Sequence, residues 1–232
     1  MSDKLSRREH SFGARRARTY KPGPVTLAPL ELRRLFAVGL DPGGWTQVTP
    51  AEDTRVIYVS SSSGNDASDG SSPSRPVRTL QRAQALVRDG SADWMLLKRG
   101  DSFEAFGDWR KRGRSAQEPI LIGAYGQGER PRILSGTRPG FLTLRRDGRS
   151  IDNLVIASLD FRAHTYDHFN GDGATAGLRL TSPGRNITIE DVRVAGYKDN
   201  IVLDPVGGTL SNVLIRRSQV LDAHAARTVG NG

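Results

Sequence analysis

A segment from residue 162 to 177 concentrates the side chains best suited to chemistry. Its sequence, RAHTYDHFNGDGATAG, contains five candidates, namely His164, Tyr166, Asp167, His168 and Asp172. The spacing of His164 and His168 would suit a metal site on a helix, but the glycines of the segment predict a loop. Aromatic and polar groups together suit a sugar, which has apolar faces and hydroxylated edges. We therefore predict that Tyr166 and His168 bind substrate.

Three arginines lie on the predicted strands that flank this segment, namely Arg162, Arg179 and Arg193. A guanidinium group binds a carboxylate in a bidentate manner, through two parallel N–H donors. We therefore predict that these arginines bind the carboxylate of a uronic acid in an acidic polysaccharide. A tolerated surface insertion without function is the alternative for the whole segment.

The second half of the chain contains an internal repeat that can position such a loop. Three segments share one apolar pattern and begin at Asn153 (NLVIASLDF), Asn186 (NITIEDVRV) and Asn212 (NVLIRRSQV). The apolar positions alternate, shift phase once and alternate again, which predicts two short strands joined by a bend. A further strand precedes each Asn, with the inward pairs Leu142/Leu144, Leu178/Leu180 and Ile201/Leu203.

Each repeat therefore forms a coil of three short strands. Because one coil cannot bury its inward face alone, the coils must stack at the strand spacing of about 4.8 Å. The recurring Asn is expected at a corner in the left-handed backbone region, with its amide bonded along the stack. We predict that Asn153, Asn186 and Asn212 are structural and occupy the same corner of successive coils.

Residues 56–125 predict a capping region before these coils. The strand VIYVS precedes a loop of turn residues, SSSGNDASDGSSPSRP, in which Asp66 and Asp69 are expected to cap turns. The helix TLQRAQALVRDG follows, and then the strands WMLLK and PILIGAYG. The run YVSSSSGNDASDGSSPSRPVRTLQRA, followed by an apolar strand and KRGDSF, resembles the N-terminal region of secreted right-handed parallel β-helix proteins of the pectin-lyase-like fold.

This resemblance covers about residues 55–232 and implies an all-β solenoid with an N-terminal capping strand and a short α-helix. It also implies a polysaccharide lyase or glycoside hydrolase. For a lyase it implies Lys198 as a base, with Asp222 nearby, and a Ca²⁺ ion held by acidic residues. A solvated turn lysine is the alternative for Lys198. The compact Asp-Asp-Gly…Lys pattern of the lyases is missing, which leaves the activity open. No other cofactor is indicated.

The composition limits the class of protein. The chain has 232 residues, 26 Gly, 12 Pro and no Cys, which argues against a helical bundle, disulfides and cysteine-based metal sites. No apolar run approaches the ~20 residues of a membrane-spanning helix. Residues 1–50 hold nine Lys/Arg and four Asp/Glu, or +5 of the net +9. They predict a mostly disordered basic tail that does not pack on the body at 51–232, and no motif in them indicates nucleic-acid binding.

These observations predict a secreted or cell-surface bacterial protein that interacts with polysaccharide. Residues 27–40, LAPLELRRLFAVGL, resemble an export tag of secreted bacterial proteins, with a short amphipathic helix as the alternative. The last residues, ARTVGNG, offer no capping element, so we expect an N-terminal fragment of a longer protein. A non-catalytic adhesion solenoid is the alternative function.

Overall fold

The computed structural model describes residues 38–144, 150–165 and 176–223, whose regular structure consists mostly of short parallel strands. Numbered in chain order, the strands of the largest sheet are β3 (Val56–Val59), β4 (Trp94–Lys98), β6 (Ile120–Tyr125), β9 (Ile151–Ala157), β12 (Gly184–Glu190) and β15 (Leu210–Arg216). The second sheet contains β5 (Ser102–Phe103), β7 (Arg132–Leu134), β10 (Asp160–Arg162), β13 (Arg193–Ala195) and β16 (Gln219–Leu221). The third contains β8 (Phe141–Thr143), β11 (Ala176–Leu180) and β14 (Asp199–Leu203).

From β6 onward the chain enters the six-stranded, the five-stranded and the three-stranded sheet in turn and then returns to the first. Every pairing within these three sheets is parallel, so each strand lies beside the equivalent strand of the next repeat. The apolar side chains point into the space between the sheets and form one buried core. The described chain is thus an all-β solenoid of parallel sheets.

Equivalent positions of the sequence repeat are paired neighbours in the parallel sheets. Leu154, Ile187 and Val213 are direct neighbours in the six-stranded sheet, as are Ile156, Ile189 and Ile215. In the five-stranded sheet the neighbours are Phe161, Val194 and Val220. The inward members of β9, β10, β12 and β13 are buried, which explains why these positions remain apolar in every repeat.

The three repeated asparagines occupy one corner of the stack, which we call the Asn corner. Asn153, Asn186 and Asn212 all have positive φ angles, of 56°, 56° and 51°. The Asn186 amide donates to Asn153 Oδ1 at 2.8 Å, and the Asn212 amide donates to Asn186 Oδ1 at 2.7 Å. Asn tolerates the left-handed region better than most residues, and its amide is both donor and acceptor. The predicted alignment and structural role of these residues are confirmed.

The prediction that Leu142 and Leu144 point into the core is wrong by one residue. Leu178 pairs with Phe141 and Leu180 with Thr143, and both Phe141 and Thr143 are fully buried. Side chains alternate between the two faces of a strand, so a shift of one residue exchanges the inward and outward sets. A threonine fits inside because its hydroxyl oxygen accepts hydrogen bonds from the backbone N–H groups of Thr181 and Ser182, at 3.1 and 3.2 Å.

The N-terminal cap consists of β3, the Ser/Gly/Asp-rich loop and the helix α1 (Leu80–Leu86). Thr79 is the N-cap residue, and its hydroxyl accepts a hydrogen bond from the Arg82 N–H at 3.1 Å. Asp66 accepts hydrogen bonds from the N–H groups of Arg78 and Thr79 and from the Thr79 hydroxyl. The predicted helix is confirmed, and its buried Leu80 and Ala83 pack against the solenoid core. Asp69 caps its own turn as predicted by accepting hydrogen bonds from the Ser71 N–H and hydroxyl, at 3.1 and 2.9 Å, whereas Asp66 caps the start of the helical segment.

Residues 38–48 differ from the expected tail. β1 (Val38–Leu40) and β2 (Thr46–Val48) form an antiparallel hairpin that contacts the last strands of the solenoid. The Thr46 N–H donates to the buried carboxylate of Glu190 at 2.9 Å, and the Arg216 guanidinium donates to the Thr46 hydroxyl at 2.6 Å. The expectation that residues 1–50 do not pack on the body is therefore wrong for this hairpin. Residues 1–37 lie outside the described part.

Candidate functional site

A groove follows the ends of the strands in the five-stranded sheet. It consists of three cavities of 380, 540 and 310 Å³. The first two share Ser102, Phe103 and Glu104, and the last two share His164. Because parallel strands end at the same edge of a sheet, the residues after β5, β7, β10, β13 and β16 form one continuous lining. We call the three cavities together the strand-end groove.

The middle cavity carries an exposed ion pair and a histidine. Arg138 and Glu104 lie 3.3 Å apart, and both side chains are more than half exposed. His164 Nδ1 accepts a hydrogen bond from the Gly136 N–H at 3.2 Å. In the neutral imidazole this contact places the proton on Nε2, which leaves that atom available as a donor. The middle cavity thus offers one donor, one cation and one anion to a polar ligand.

A serine and a tyrosine form a buried pair behind the same cavity. The Ser135 and Tyr197 hydroxyl groups are 2.8 Å apart, and both residues are almost completely buried. Burial raises the pKa of the Tyr197 phenol to about 12, despite the hydrogen bond from Ser135 that opposes the shift. The phenol therefore stays protonated at neutral pH. Its hydrogen bond ties Ser135, which lines the cavity, to the buried core.

The cavity of 310 Å³ contains several of the predicted site residues. Its lining comprises Arg162, Ala163, His164, Arg193, Ala195, Gly196 and Asp222. Arg162 binds both carboxylate oxygens of the neighbouring Asp160, with N–O distances of 3.1, 3.0 and 2.6 Å. The hydrogen bonds that the guanidinium donates to Asp160 raise its pKa, so this positive charge is permanent and locally neutralised.

The other predicted residues lie elsewhere. Arg179 is on β11 in the three-stranded sheet, beside Leu142 and Val202, and does not line the groove. Lys198 is an exposed residue of the turn between β13 and β14 and is not among the groove residues. Tyr166 and His168 lie outside the described residues. The structure therefore brings Arg162, Arg193 and Asp222 together and leaves Arg179 and Lys198 apart from them.

Metal binding finds no support in the part of the chain that the structure describes. Within residues 38–144, 150–165 and 176–223, no group of three or more His, Asp or Glu side chains is placed to hold an ion. Nor does any helix within those ranges have the length and apolar character to cross a membrane. The acidic residues that line the described groove, Glu104 and Asp222, instead follow β5 and β16 at opposite edges of the five-stranded sheet.

Sequence reasoning missed the first half of the groove. Glu104, Ser135 and Arg138 follow β5 and β7, which precede the first repeated Asn. A signal was present, because Ile133 lies beside Phe161 and the pair Ile120/Ile122 lies beside Leu154/Ile156. Extending the apolar repeat upstream without requiring an Asn would have placed Ser135 and Arg138 at a strand end.

The known proteins that the chain resembles are lacto-N-biosidases. No protein-family model matches the sequence. The chain is 27% identical over 175 residues to a lacto-N-biosidase of Bifidobacterium longum subsp. longum, an alignment that covers 74% of this chain and 10% of that protein.

Two crystal structures of a GH136 lacto-N-biosidase from Eubacterium ramulus resemble the chain. Both are 18% identical, and their TM-scores are 0.57 and 0.54. The matches cover 72% of this chain and 34% of that enzyme. The chain thus spans about a tenth of the curated relative and a third of the solved one. The structural likeness agrees with a β-helix-like solenoid that the strand pairing establishes independently.

Proposed function

We propose that this chain is the glycan-recognition portion of a glycoside hydrolase built on a parallel β-helix. The observation that carries the proposal is the strand-end groove, whose three contiguous cavities run across successive strands. A linear ligand with a repeating polar edge fits such a groove better than a compact metabolite does. The similarity to lacto-N-biosidases supports an oligosaccharide that contains lacto-N-biose as the ligand.

We also propose the finer features of the fold. The coils would be right-handed three-strand turns of the pectin-lyase-like type, because crossovers between parallel strands are right-handed in about 98% of known cases. The order in which the chain enters the three sheets supports a three-strand turn. A secreted or cell-surface location fits a protein that acts on a glycan of this kind.

The described part of the groove supports recognition better than hydrolysis. Glycoside hydrolysis generally needs two carboxyl groups about 5–10 Å apart that are free to act as acid and as base or nucleophile. Asp160 is held by Arg162, and Glu104 lies beside Arg138. The carboxylates that line the described groove are thus Glu104 and Asp222, and they lie in different cavities. Hydrolysis would therefore require a second carboxylate from outside the described residues.

Isothermal titration of the chain with lacto-N-biose, and with an oligosaccharide that contains it, tests the proposal. We expect both ligands to bind, and the longer one to bind more tightly because it occupies more of the groove. Oligogalacturonate is the comparison ligand and should bind more weakly. Absence of binding to every neutral oligosaccharide would reject the proposed function.

A cavity-filling variant links binding to the groove. Ala195 lines the groove on β13, and Ala195→Leu should lower the affinity at least about tenfold by occupying ligand space. Ala157→Leu adds the same side chain at the end of β9 in a different sheet and serves as the matched control. Equal affinity of both variants for the oligosaccharide would place the site elsewhere.

A further inference from the structure

We propose that the 310 Å³ cavity holds one neutral sugar ring by two adjacent hydroxyl groups, with Arg193 as the hydrogen-bond donor and Asp222 as the acceptor. This inference rests on the proposed function, because it assigns one position of the glycan to one end of the strand-end groove. We refer to the cavity as the terminal subsite, lined by Arg162, Ala163, His164, Arg193, Ala195, Gly196 and Asp222.

Arg193 is the cation of this subsite that remains available. It lies on β13 directly beside Asp160 of β10, at the distance of neighbouring strands. The Asp160 carboxylate is occupied by Arg162, with N–O distances of 2.6 to 3.1 Å. The Arg193 Nε atom is buried and has no hydrogen-bond partner within the described ranges. Because Nε is itself closed to solvent, a ligand would take its hydrogen bond from the terminal N–H groups of the guanidinium, which belongs to a half-buried side chain that lines the cavity.

Asp222 provides the complementary acceptor. It follows β16 at the next strand end and has a φ angle of 52°, in the left-handed region. The side chain is exposed, and no residue of the described ranges donates a hydrogen bond to it or forms an ion pair with it. Arg193 and Asp222 line the same small cavity, yet they are not within ion-pair distance of each other. Both charged groups therefore line one cavity without an ion pair between them in the described ranges, and we place the ligand there.

The charges favour a neutral sugar over a uronic acid. Arg162 is balanced by Asp160, and the remaining charges, on Arg193 and Asp222, are opposite. A ligand carboxylate drawn to Arg193 would also lie in the cavity of the Asp222 carboxylate, and like charges at close range repel. A pair of neighbouring hydroxyl groups can instead accept a hydrogen bond from the guanidinium and donate one to the carboxylate.

The size of the subsite agrees with one ring. A volume of 310 Å³ is at the lower end of the range of about 300–1,000 Å³ found for small-molecule sites. Ala163, Ala195 and Gly196 line it with minimal side chains. Ala195 pairs with Arg162 of β10 on one side and with Leu221 of β16 on the other. The cavity is present because the small side chain of Ala195 lies between these two larger ones.

The test measures the affinity for lacto-N-biose by titration with wild-type protein, Arg193→Gln, Asp222→Asn and the double variant. Each single variant should weaken binding roughly ten- to hundredfold, the range for hydrogen bonds to charged groups. The double variant should lose less than the sum of the two single losses, because both residues hold the same ring. Arg185→Gln, an exposed arginine on β12 outside the groove, is the matched control and should bind like wild type.

The outcomes separate this inference from the proposed function. If the wild type binds lacto-N-biose and both single variants bind equally well, the terminal subsite is wrong while glycan recognition stands. If deoxy analogues that lack either hydroxyl of each adjacent pair bind like the parent sugar, the two-hydroxyl contact is wrong. Tighter binding of galacturonate than of the neutral sugar would overturn the charge argument. Failure of the wild type to bind any neutral sugar rejects both proposals, provided that the circular dichroism spectrum is that of the folded protein.

Discussion

The Asn corner and the strand-end groove are built by neighbouring strands of the same coils, yet their side chains behave in opposite ways. At the Asn corner one residue type recurs and each amide bonds to the next, so the polar groups satisfy one another. Along the groove each strand end carries a different residue, from Glu104 through His164 to Asp222. The backbone repeats at both places. What differs is whether the side chains find their partners within the stack or remain available to a ligand.

The largest effect is expected beside the Asn corner, from Gly184→Ala two residues before Asn186 on β12. A Cβ atom at Gly184 would lie 1.9 Å from the Ile151 carbonyl oxygen, a backbone atom of the neighbouring strand that cannot rotate away. Strands β9 and β12 would have to separate, so we expect a loss above about 4 kcal/mol in the free energy of unfolding, or no soluble protein. Chemical denaturation monitored by circular dichroism measures this loss.

Gly123→Ala is the control for that substitution. Gly123 lies on β6 in the same sheet, and the nearest atom to its Cβ position is a Leu96 side-chain carbon at 3.5 Å, an ordinary contact. The variant should be as stable as the wild type, or slightly more stable because alanine restricts the unfolded chain. If Gly184→Ala unfolds at the same denaturant concentration as Gly123→Ala, the close approach of β12 to β9 at Gly184 is wrong.

Asn186→Ala should have the next largest effect. The substitution removes the hydrogen bonds to Asn153 and from Asn212 and places an alanine at a φ of 56°. Two hydrogen bonds at about 1 kcal/mol each, and about 1 kcal/mol of backbone strain, give a loss of about 3 kcal/mol. Asn186→Gly tolerates the φ angle and should lose about 2 kcal/mol. If alanine and glycine cost the same, left-handed backbone strain is not part of the role of Asn186.

The contrast between the two regions also explains what the sequence could predict. The Asn corner was predictable because stacking imposes the same residue on every coil, and three aligned segments were enough to recognise Asn153, Asn186 and Asn212. The inward pair in β8 was mispredicted because Thr143 is polar but buried, with its hydroxyl bonded to the backbone of Thr181. Hydrophobicity alone cannot detect such a residue.

The groove was harder to predict because its residues do not repeat. Arg162, Arg193 and Asp222 were proposed from the sequence for different reasons, and only the strand register brings them to one cavity. Arg179 has the same residue type and a similar place in the sequence, but its strand belongs to another sheet. Assignment of a strand to its sheet depends on how many strands each coil contains, which is a tertiary property.

Low pH should weaken the stabilisation that the buried Asp93 carboxylate gives just before β4, and it should leave the amide contacts of the Asn corner unchanged. Asp93 is fully buried, and its burial alone would raise its pKa, but hydrogen bonds from Arg88 and from the Arg55 N–H outweigh that effect and hold the pKa below 3.8. The stabilisation that this carboxylate contributes is therefore fully present above the pKa that Asp93 has in the unfolded state. It is lost as the pH falls through the lower pKa that Asp93 has in the folded state. Amide groups do not titrate in this range.

Asp93→Asn should accordingly lose about 2 kcal/mol at pH 7 because it leaves Arg88 without its anionic partner. The deficit relative to the wild type should shrink below pH 4, where the wild-type carboxylate begins to lose its charge in the unfolded state. Urea denaturation at a series of pH values measures the deficit. Asn186→Gly should show a deficit that does not change with pH, and a parallel pH dependence in both variants would contradict the assignment to Asp93.

The smallest stability effect is expected in the groove itself, from Gly196→Ala. Gly196 has a φ of +79°, and the nearest atom to its Cβ position is the Ala163 carbonyl oxygen at 3.8 Å, so the cost is backbone strain of about 1 kcal/mol without a clash. Gly126→Ala has a similar φ of +81° with no atom within 4 Å, and it lies outside the groove. Both variants should therefore lose the same stability.

Only Gly196→Ala places a methyl group in the terminal subsite, so it alone should weaken lacto-N-biose binding, by about threefold or more. Equal affinities of the two variants would show that the ligand does not reach this strand end, whereas a stability loss as large as that of Gly184→Ala would show that the groove is packed as tightly as the Asn corner.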